Sequence, residues 1–551
     1  MPAKKKTRDK PLTFHRVDLP SLAGCATDQA NETLHRLYGE LGQAEARMRA
    51  EVAAPTFAEQ MRLHGPKPAF TFIDLLCGGG GSSAGLAQAG GQLLFGANHS
   101  SVAIATHARN FPGSAHACVD LNWYDMRNLP EGADVLWASV ICTETSPAGG
   151  RSRKGQAAPG QGALIDATGQ PTDPDADPVE EELFERTRAT AQDVIRAAEL
   201  WRFPVVCVEN VVEFATDWRL FAWWLDGFKI LGYRRHIVNA SSAHLSGEGF
   251  DPAAQWRNRI YIIFVREDLP DIPDLEPRPL AWCNTCADMV ESHQVWTDPN
   301  GQATASGQRI RVGKYREQYW YHCPAAGHGR VEPATKPAGS IIDWSHVGPL
   351  IGERPLHRKK PLVQETMRRV AWGIKLAREG KLSPAWLDAN GGSWNTGPAG
   401  TDRPFRTRTA NDWEALVTPG AFVDTARRNT LPRSPGEPLT TVATARHHGI
   451  VVPYRKNNRP SGPNVPLHAV STIESAALIT AAQDLPADPM LWHYRMVTWL
   501  EQALAQDFPP GYELAGNQGE RNVQVGNAVS VNAARYFGLR FASVLAGIDR
   551  R

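Results

Sequence analysis

Five short stretches of the chain hold residue types that covalent and acid–base chemistry require. In DVLWASVICTETSPAGG, residues 134–150, an apolar run leads into Cys142 and then into a polar loop ending in glycines. A cysteine at the carboxyl end of a buried strand, opening on a crevice, is accessible enough to act as a nucleophile; a buried structural cysteine is the plainer alternative. In VVCVENV, residues 205–211, a second apolar run ends at Glu209–Asn210, where a carboxyl group can hold or donate a proton. In QWRNRIYIIF, residues 255–264, Gln255, Arg257 and Arg259 alternate at a strand start and should therefore point the same way. FIDLLCGGGGSSAGL, residues 72–86, reads as a buried strand ending at Asp74, a glycine turn and a helix opening with free N–H groups. That is the layout of a nucleotide-like cofactor site, without the GxGxxG of dinucleotide folds or the GK[ST] of a P-loop. A purely structural glycine turn is the alternative. The fifth stretch, QVGNAV at 524–529, reads as a polar turn before a helix.

The elements that must carry these residues follow from periodicity. Between residues 67 and 268, short branched and apolar runs (FTFIDLL, QLLFGA, ADVLWASV, PVVCVEN, RIYIIFV) alternate with amphipathic segments such as SVAIATHARN and TRATAQDVIRAAEL. This alternation predicts an α/β domain, a mostly parallel sheet with helices on both faces. The Gly-, Pro-, Gln- and Asp-rich stretch from Arg151 to about Glu180 is expected to be a mobile loop. Residues 1–66 read as a partly disordered N-terminal extension with one helical stretch from Asn31 to Val52. Its basic start, MPAKKKTRDK, is either a solvated tail or an arm touching phosphate. From 269 to 484, Pro, Trp, His and Arg become more frequent and periodicity weakens, which predicts a second, mostly β or irregular domain. Within it PFRTRTAN…ALVTP (from Pro404), PLTTVATARHHGIVVP (from Pro438) and PLHAVSTIESAALIT (from Pro466) recur every 28–34 residues, predicting β repeats over about 390–480. Residues 485–551 return to helical texture from Trp492 and are expected to complete the first domain.

Composition bounds these readings. A chain of 551 residues exceeds one ordinary core. Its 59 Lys+Arg offset 58 Asp+Glu, a balance that neither demands nor excludes nucleic acid. No run reaches the roughly 18 apolar residues of a membrane span, and no hydrophobic signal region follows the basic start, so no membrane association and a cytoplasmic location are expected. Eight scattered cysteines argue against a disulfide scaffold.

In this order and at these separations, the five stretches resemble the glycine-rich, cysteine, ENV, QxRxR and QxGNxV motifs of the DNA (cytosine-5) methyltransferases. The resemblance spans about 70–268 and 437–535. ANHS (97–100), HACVDL (116–121), TRATAQDV (187–194) and SIIDWS (340–345) are similar to the branch found in actinobacteria and their phages. The resemblance implies an S-adenosylmethionine-dependent methyltransferase (Rossmann-like) catalytic domain at 67–268, a target-recognition region at 269–484, and double-stranded DNA as the partner of a monomer with no obligate protein partner. It implies that Cys142 attacks cytosine C6 while Glu209 hydrogen-bonds N3 and the exocyclic amine. Arg259 would meet the base O2, and Arg257 would help place the cysteine. The target base would be flipped out of the duplex. S-adenosyl-L-methionine would be held by Asp74, Leu76, Cys77, Gly78, Gly79, Gly80, Gly81 and Ser82, with His99, Asp120, Leu121, Asn527 and Val529. Arg151, Arg153 and Lys154 in the loop after the cysteine, and Arg446 and Arg455 in the second domain, would contact DNA.

Two positions depart from the family pattern. Val140–Ile141 stands where a proline-containing motif precedes the cysteine, which frees φ and restores an N–H; the apolar Ile141 also disfavours a thiolate. His99 stands where an acidic residue usually meets the cofactor ribose. A homologue that binds DNA and cofactor with impaired or altered activity therefore remains a rival reading, as does the same chemistry on RNA. Within a zinc-ribbon-like insert, about 278–335, Cys283, Cys286 and Cys323 resemble three ligands of a structural zinc, with His328 (or His322) as the fourth where the ribbon's cysteine is replaced by Ala326. The alternative is a decayed ribbon held by Trp282, Tyr319, Trp320 and Tyr321.

Overall fold

The computed structural model describes residues 57–58, 68–140, 178–344, 346, 348–356, 360–379, 381, 386–390, 399–405, 413–419, 423–425, 448–450 and 485–546. Its central element is a seven-stranded sheet: β1 (Phe70–Leu75), β2 (Gly91–Asn98), β3 (Ala115–Cys118), β4 (Val135–Ala138), β5 (Val205–Asn210), β6 (Tyr233–Ser241) and β7 (Asn258–Arg266). The strand order is β3-β2-β1-β4-β5-β7-β6. Pairings from β3 through β5 are parallel. β7 runs antiparallel to both β5 and β6. The expected parallel sheet is thus present, with an antiparallel hairpin at one edge that the apolar run RIYIIFV did not disclose. β3 and β6 were not expected, because AHAC is too short and YRRHIVNAS too polar to stand out.

The period of two along each strand sorts its side chains between two cores. Phe70, Phe72, Val135, Trp137, Val205, Cys207, Tyr261 and Ile263 face one. Ile73, Leu75, Leu136, Ala138, Val206, Val208, Ile260 and Ile262 face the other. The helices are α1 (Gly81–Gln88), α2 (Ser101–Asn110), α3 (Pro178–Trp201), α4 (Val212–Asp217), α5 (Phe221–Ile230), α6 (Gln364–Arg378), α7 (Trp499–Ala505), α8 (Gln518–Asn527) and α9 (Val531–Leu545). α1 and α9 cover the first face, where Ala84 and Leu86 meet Phe537 and Phe541. α3, α4 and α5 cover the second through Ala191, Val194, Phe214, Phe221 and Trp224. α3 is already under way at Pro178, two residues before the expected end of the preceding loop.

Residues 280–333 form a separate five-stranded antiparallel sheet whose buried residues are Ala281, Cys283, Tyr315, Tyr319, Tyr321, Cys323 and Val331. Further along, the strand Trp413–Pro419 pairs with Trp492–Met496, so the expected helical texture begins only at α7. α6 was not foreseen either. Its Met367, Val370, Ile374 and Ala377, spaced for one helix face, pack with Ala415, Val417 and Trp492. The N-terminal helical stretch, the loop up to residue 177 and the repeats from Pro438 and Pro466 lie outside the described residues, apart from the short strand His448–Ile450.

Candidate functional site

In the order β3-β2-β1-β4-β5 the connections reverse direction between β1 and β4, and a crevice outside the carboxyl ends of parallel strands at such a point is where ligands bind. The glycine turn sits there. Leu76 (φ 62), Gly78 (φ 51) and Gly80 (φ 83) take left-handed backbone conformations as the chain leaves β1 for α1. For the leucine this is strained, and strained residues gather at ligand sites. A Cβ on Gly80 would lie 2.0 Å from the Tyr512 hydroxyl, whereas one on Gly78 would meet only the Leu76 carbonyl, at 3.9 Å. The turn is therefore packed hard against the C-terminal segment on one side and open on the other. Tyr512 donates its hydroxyl to the Gly79 carbonyl, 2.9 Å away, which fixes the packed side.

Asp74, fully buried at the end of β1, accepts hydrogen bonds to Oδ2 from Ser82 Oγ (2.6 Å) and Ser83 Oγ (2.5 Å) at the start of α1. Its Oδ1 is buried with no hydrogen-bond partner. Burial pushes the carboxyl up to about 7, against the lowering effect of the two hydroxyls. Behind Ser83 lies His107, also fully buried, with Nε2 2.9 Å from Ser83 Oγ and Nδ1 2.9 Å from His116 Nε2. With Asp74 ionised, the Ser83 hydroxyl donates to it, so His107 must carry its proton on Nε2 and accept from His116 at Nδ1. Burial, with His116 nearby, drives His107 down to about 3, so it is neutral.

His99 and Asp120 are exposed at the carboxyl ends of β2 and β3, on the same edge of the sheet as the glycine turn. Asp120 caps a short helical turn by accepting from the Asn122 N–H at 3.0 Å, and Leu121 is buried beneath it. Cys77 is buried, and its thiol is raised by burial, so it is no nucleophile. Gln524–Asn527 forms the last turn of α8, not a free turn, because the capping box Asn517/Glu520 starts that helix well upstream. Asn527 is exposed at its end and Val529 is buried beside Gly81. An open cradle, an orphaned carboxylate oxygen and exposed polar groups along one edge fit an adenosyl cofactor with a charged methionine end.

On the other side of the crevice, the period of two puts Glu209, Arg259 and Tyr261 on one face of β5 and β7, with Glu209 directly opposite Tyr261. Arg259 Nε lies 2.9 Å from Glu209 Oε1, and both side chains are about nine-tenths buried. Glu209 is therefore held by a guanidinium, where the sequence suggested a carboxyl alone at an apolar strand end. Arg257 and Gln255 precede the strand; Arg257, buried, donates Nη1–H to the Gly526 carbonyl of α8 at 3.2 Å. Asn210 donates Nδ2–H to the Val140 carbonyl, 3.1 Å away, and Val140 is buried. The strand end that leads to Cys142 is thereby tied to the strand end that carries Glu209. Cys142, Arg151, Arg153, Lys154, Arg446 and Arg455 lie outside the described residues.

A second cluster joins Cys283, Cys286, Cys323 and His328, whose ligand atoms all lie within 4.8 Å of one another. Cys286 Sγ is 3.7 Å from Cys323 Sγ, and His328 Nδ1 is 3.7 Å from both Cys283 Sγ and Cys323 Sγ. Tetrahedral zinc bonds of about 2.3 Å to sulfur and about 2.0 Å to nitrogen require edges of about 3.5–3.8 Å; these three distances suit that ion, while Cys286 Sγ and His328 Nδ1 stand closer, at 3.1 Å. The backbone N–H of Cys286 foremost pushes the Cys283 thiol down, while burial foremost, with Cys283 and Cys323, pushes the Cys286 thiol up, so within this coupled pair the first thiolate forms at Cys283. Among the described residues His322 is not in this group.

Sequence reasoning missed Thr106, His107 and Tyr512, and named Gln524 only as the first residue of QVGNAV. The first two were legible as the 103/106/107/110 stripe of α2, its buried face. Gln524 accepts from Thr106 Oγ1 at 2.6 Å across 418 residues of sequence, a contact no local pattern announces.

Residues 70–165 match the family model described as C-5 cytosine-specific DNA methylase. No curated protein matches the chain. Among solved structures, a Spodoptera frugiperda DNMT2 variant is 12% identical, with 86% of this chain and 99% of that one covered and a TM-score of 0.38. S. pombe Dnmt2 methyltransferase is 10% identical, with 86% and 98% covered and a TM-score of 0.39. The Entamoeba histolytica methyltransferase EhMeth is 9% identical, with 86% and 98% covered and a TM-score of 0.36. Among the described residues no helix is long and apolar enough to cross a membrane.

Proposed function

We propose that this chain, whose residues 70–165 match the C-5 cytosine-specific DNA methylase model, methylates cytosine C5 in double-stranded DNA through a transient bond from Cys142 to C6. S-adenosyl-L-methionine supplies the methyl group when bound. The turn Leu76–Gly81, with Asp74 and Ser82 behind it, would hold its methionine end. His99 and Asp120 would meet the ribose and adenine, and Leu121, Asn527 and Val529 would wall the site.

Cytosine C5 is a poor nucleophile until a thiolate adds at C6 and pushes electrons into the ring. Glu209 would hold N3 and the exocyclic amine as that charge develops, and Arg259 would both orient Glu209 and meet O2. Arg257, anchored on α8, links this pair to the cofactor wall. After methyl transfer, loss of the C5 proton restores the double bond and expels the cysteine. The base must leave the stack to reach these groups. Arg151, Arg153 and Lys154 would close on phosphate, and Arg446 and Arg455 would contact the duplex.

The observation that carries this reading is the buried Glu209–Arg259 pair, tied through Asn210 to the strand end preceding Cys142. A lone binding protein has no use for it. The four-ligand cluster at Cys283, Cys286, Cys323 and His328 is read as a structural zinc site, and the chain as a monomer working in the cytoplasm of a bacterial or phage-infected cell.

The test is incubation with duplex DNA and labelled S-adenosylmethionine, reading 5-methylcytosine, with Cys142→Ala as control. Product that vanishes in the control is expected. Cofactor binding without product points instead to an impaired homologue, the reading that Val140–Ile141 before the cysteine favours. Product on RNA alone overturns the DNA substrate.

A further inference from the structure

The zinc-ribbon-like insert is more than an appendage, because one of its loops runs through the catalytic domain. Val312 is fully buried in the same core as Ile260, Ile262 and Phe214, with Ile310 packed against it. Three polar contacts converge on Asn239, a buried residue of the edge strand β6. Its Nδ2–H donates to the Arg311 carbonyl at 2.8 Å, its Oδ1 accepts from the Gly313 N–H at 2.9 Å, and its own carbonyl accepts from Gln294 Nε2 at 2.7 Å. Asn239 stands opposite Ile260 in the β6–β7 ladder, one step from the pairing of Ala240 with Arg259.

The same loop grips the element that follows Glu209. Lys314 Nζ lies 2.6 Å from Oε1 of Glu213, whose side chain is only 9% exposed, in the first turn of α4. The Ala305 N–H donates to the Thr216 carbonyl on α4 at 2.7 Å. Beyond the loop, Tyr315 and Tyr321 pack edge-on against His244, at ring separations of 4.5 and 5.0 Å, and His244 also meets Trp256 beside Arg257. One insert loop thus touches β6, the start of β7 and α4, the elements that carry or flank Arg259 and Glu209.

We propose that the insert segment 305–315 sets the position of the Glu209–Arg259 pair, with Asn239 and Lys314 as positioning residues for base activation. This rests on the functional reading above. A packed core transmits small displacements without absorbing them, and a misplacement of about 1 Å at reacting groups can cost on the order of 100-fold in rate. Removing one partner of a part-buried ion pair leaves the other uncompensated, and exchanging the two puts opposite charges back at the same contact.

The experiment compares Lys314→Glu, Glu213→Lys and the double exchange, together with Asn239→Ala, in the full chain. It reads kcat, the KM for S-adenosylmethionine, thermal midpoint and amide hydrogen exchange over 205–210 and 258–261. The single changes are expected to lower kcat on the order of 10- to 100-fold with KM for the cofactor little altered. They should also raise exchange at those two segments, and the double exchange should restore both. Unchanged kcat and exchange in the singles overturns the proposal, as does a loss that follows the thermal midpoint and is not rescued. Absence of product from the wild type is a failure of the functional reading, and the exchange measurements then decide the brace: unchanged protection in the singles overturns it.

Discussion

Asp74 and Glu209 are two carboxylates at the carboxyl ends of β1 and β5, on the same face of the sheet, and their surroundings differ in kind. Glu209 faces a guanidinium, while Asp74 has two hydroxyls and an unpartnered oxygen. Hydroxyls do not compensate a buried charge as a cation does, which is why Asp74 rises to about 7 from 3.8. A folded-state value above the unfolded one means the native state binds the proton more tightly. The stability this confers is complete below the unfolded value and is lost as pH rises through about 7. Asp74→Asn has no such titration. In urea unfolding, the stability of Asp74→Asn relative to wild type is therefore expected to improve between about pH 5 and about pH 7 and to level off above that. A difference that stays constant over that range would show that Asp74 keeps an ordinary carboxylate behaviour. His107, neutral, contributes no charge to offset it.

At the scale of elements, the site depends on how closely α9 can approach α1. A Cβ on Gly85 would lie 2.3 Å from the Val531 carbonyl and 2.6 Å from Ala534 Cβ, so the two helices touch backbone to backbone. Gly85→Val should separate them and cost about 1–3 kcal/mol, the usual penalty of overpacking. Gly113→Ala is the control, since a Cβ there meets nothing within 4 Å, and it should shift stability by less than about 0.5 kcal/mol. Chemical denaturation of both variants checks this, and equal effects would refute the close-contact argument. The reversal of β7 acts at the same scale. An antiparallel neighbour to β5 brings the amino end of β7, and so Arg259, beside the carboxyl end of β5, and so Glu209. A parallel β7 would have sent Arg259 to the opposite edge of the sheet.

Across the whole molecule, residues far apart in sequence meet in two places. The C-terminal helices cover the face of a sheet built from residues 70–266, and the 280–333 sheet leans on the catalytic elements through its loop. That small sheet has a modest core of tyrosines and cysteines, so a metal is expected to supply much of its cohesion. Purified protein should contain one zinc per chain by elemental analysis, and Cys323→Ser should lose it. Chelation should then open residues 280–333 to limited proteolysis, while S-adenosylmethionine binding persists. Metal-free wild-type protein with the same proteolytic resistance would mean that the aromatic residues alone hold the ribbon.

Much of this was written in local sequence. The alternation of apolar runs and amphipathic segments, the glycine turn after Asp74, the ENV strand end and the Cys–x–x–Cys pair each depend on neighbours within a few residues, where periodicity and backbone freedom leave a direct trace. What tertiary structure alone decided is which distant groups meet. The reversal of β7, the Glu209–Arg259 pair, the hold of Asn210 on Val140, and the convergence of Cys323 and His328 on Cys283 and Cys286 all depend on strand order and direction. The same holds for Asn239 and Lys314, which look like ordinary polar residues until the loop that carries Lys314 packs against Asn239 and Glu213, some seventy to one hundred residues away in sequence. Hydrophobic pattern specifies that an element is buried, but not against what; only the packed chain supplies the second half of each contact.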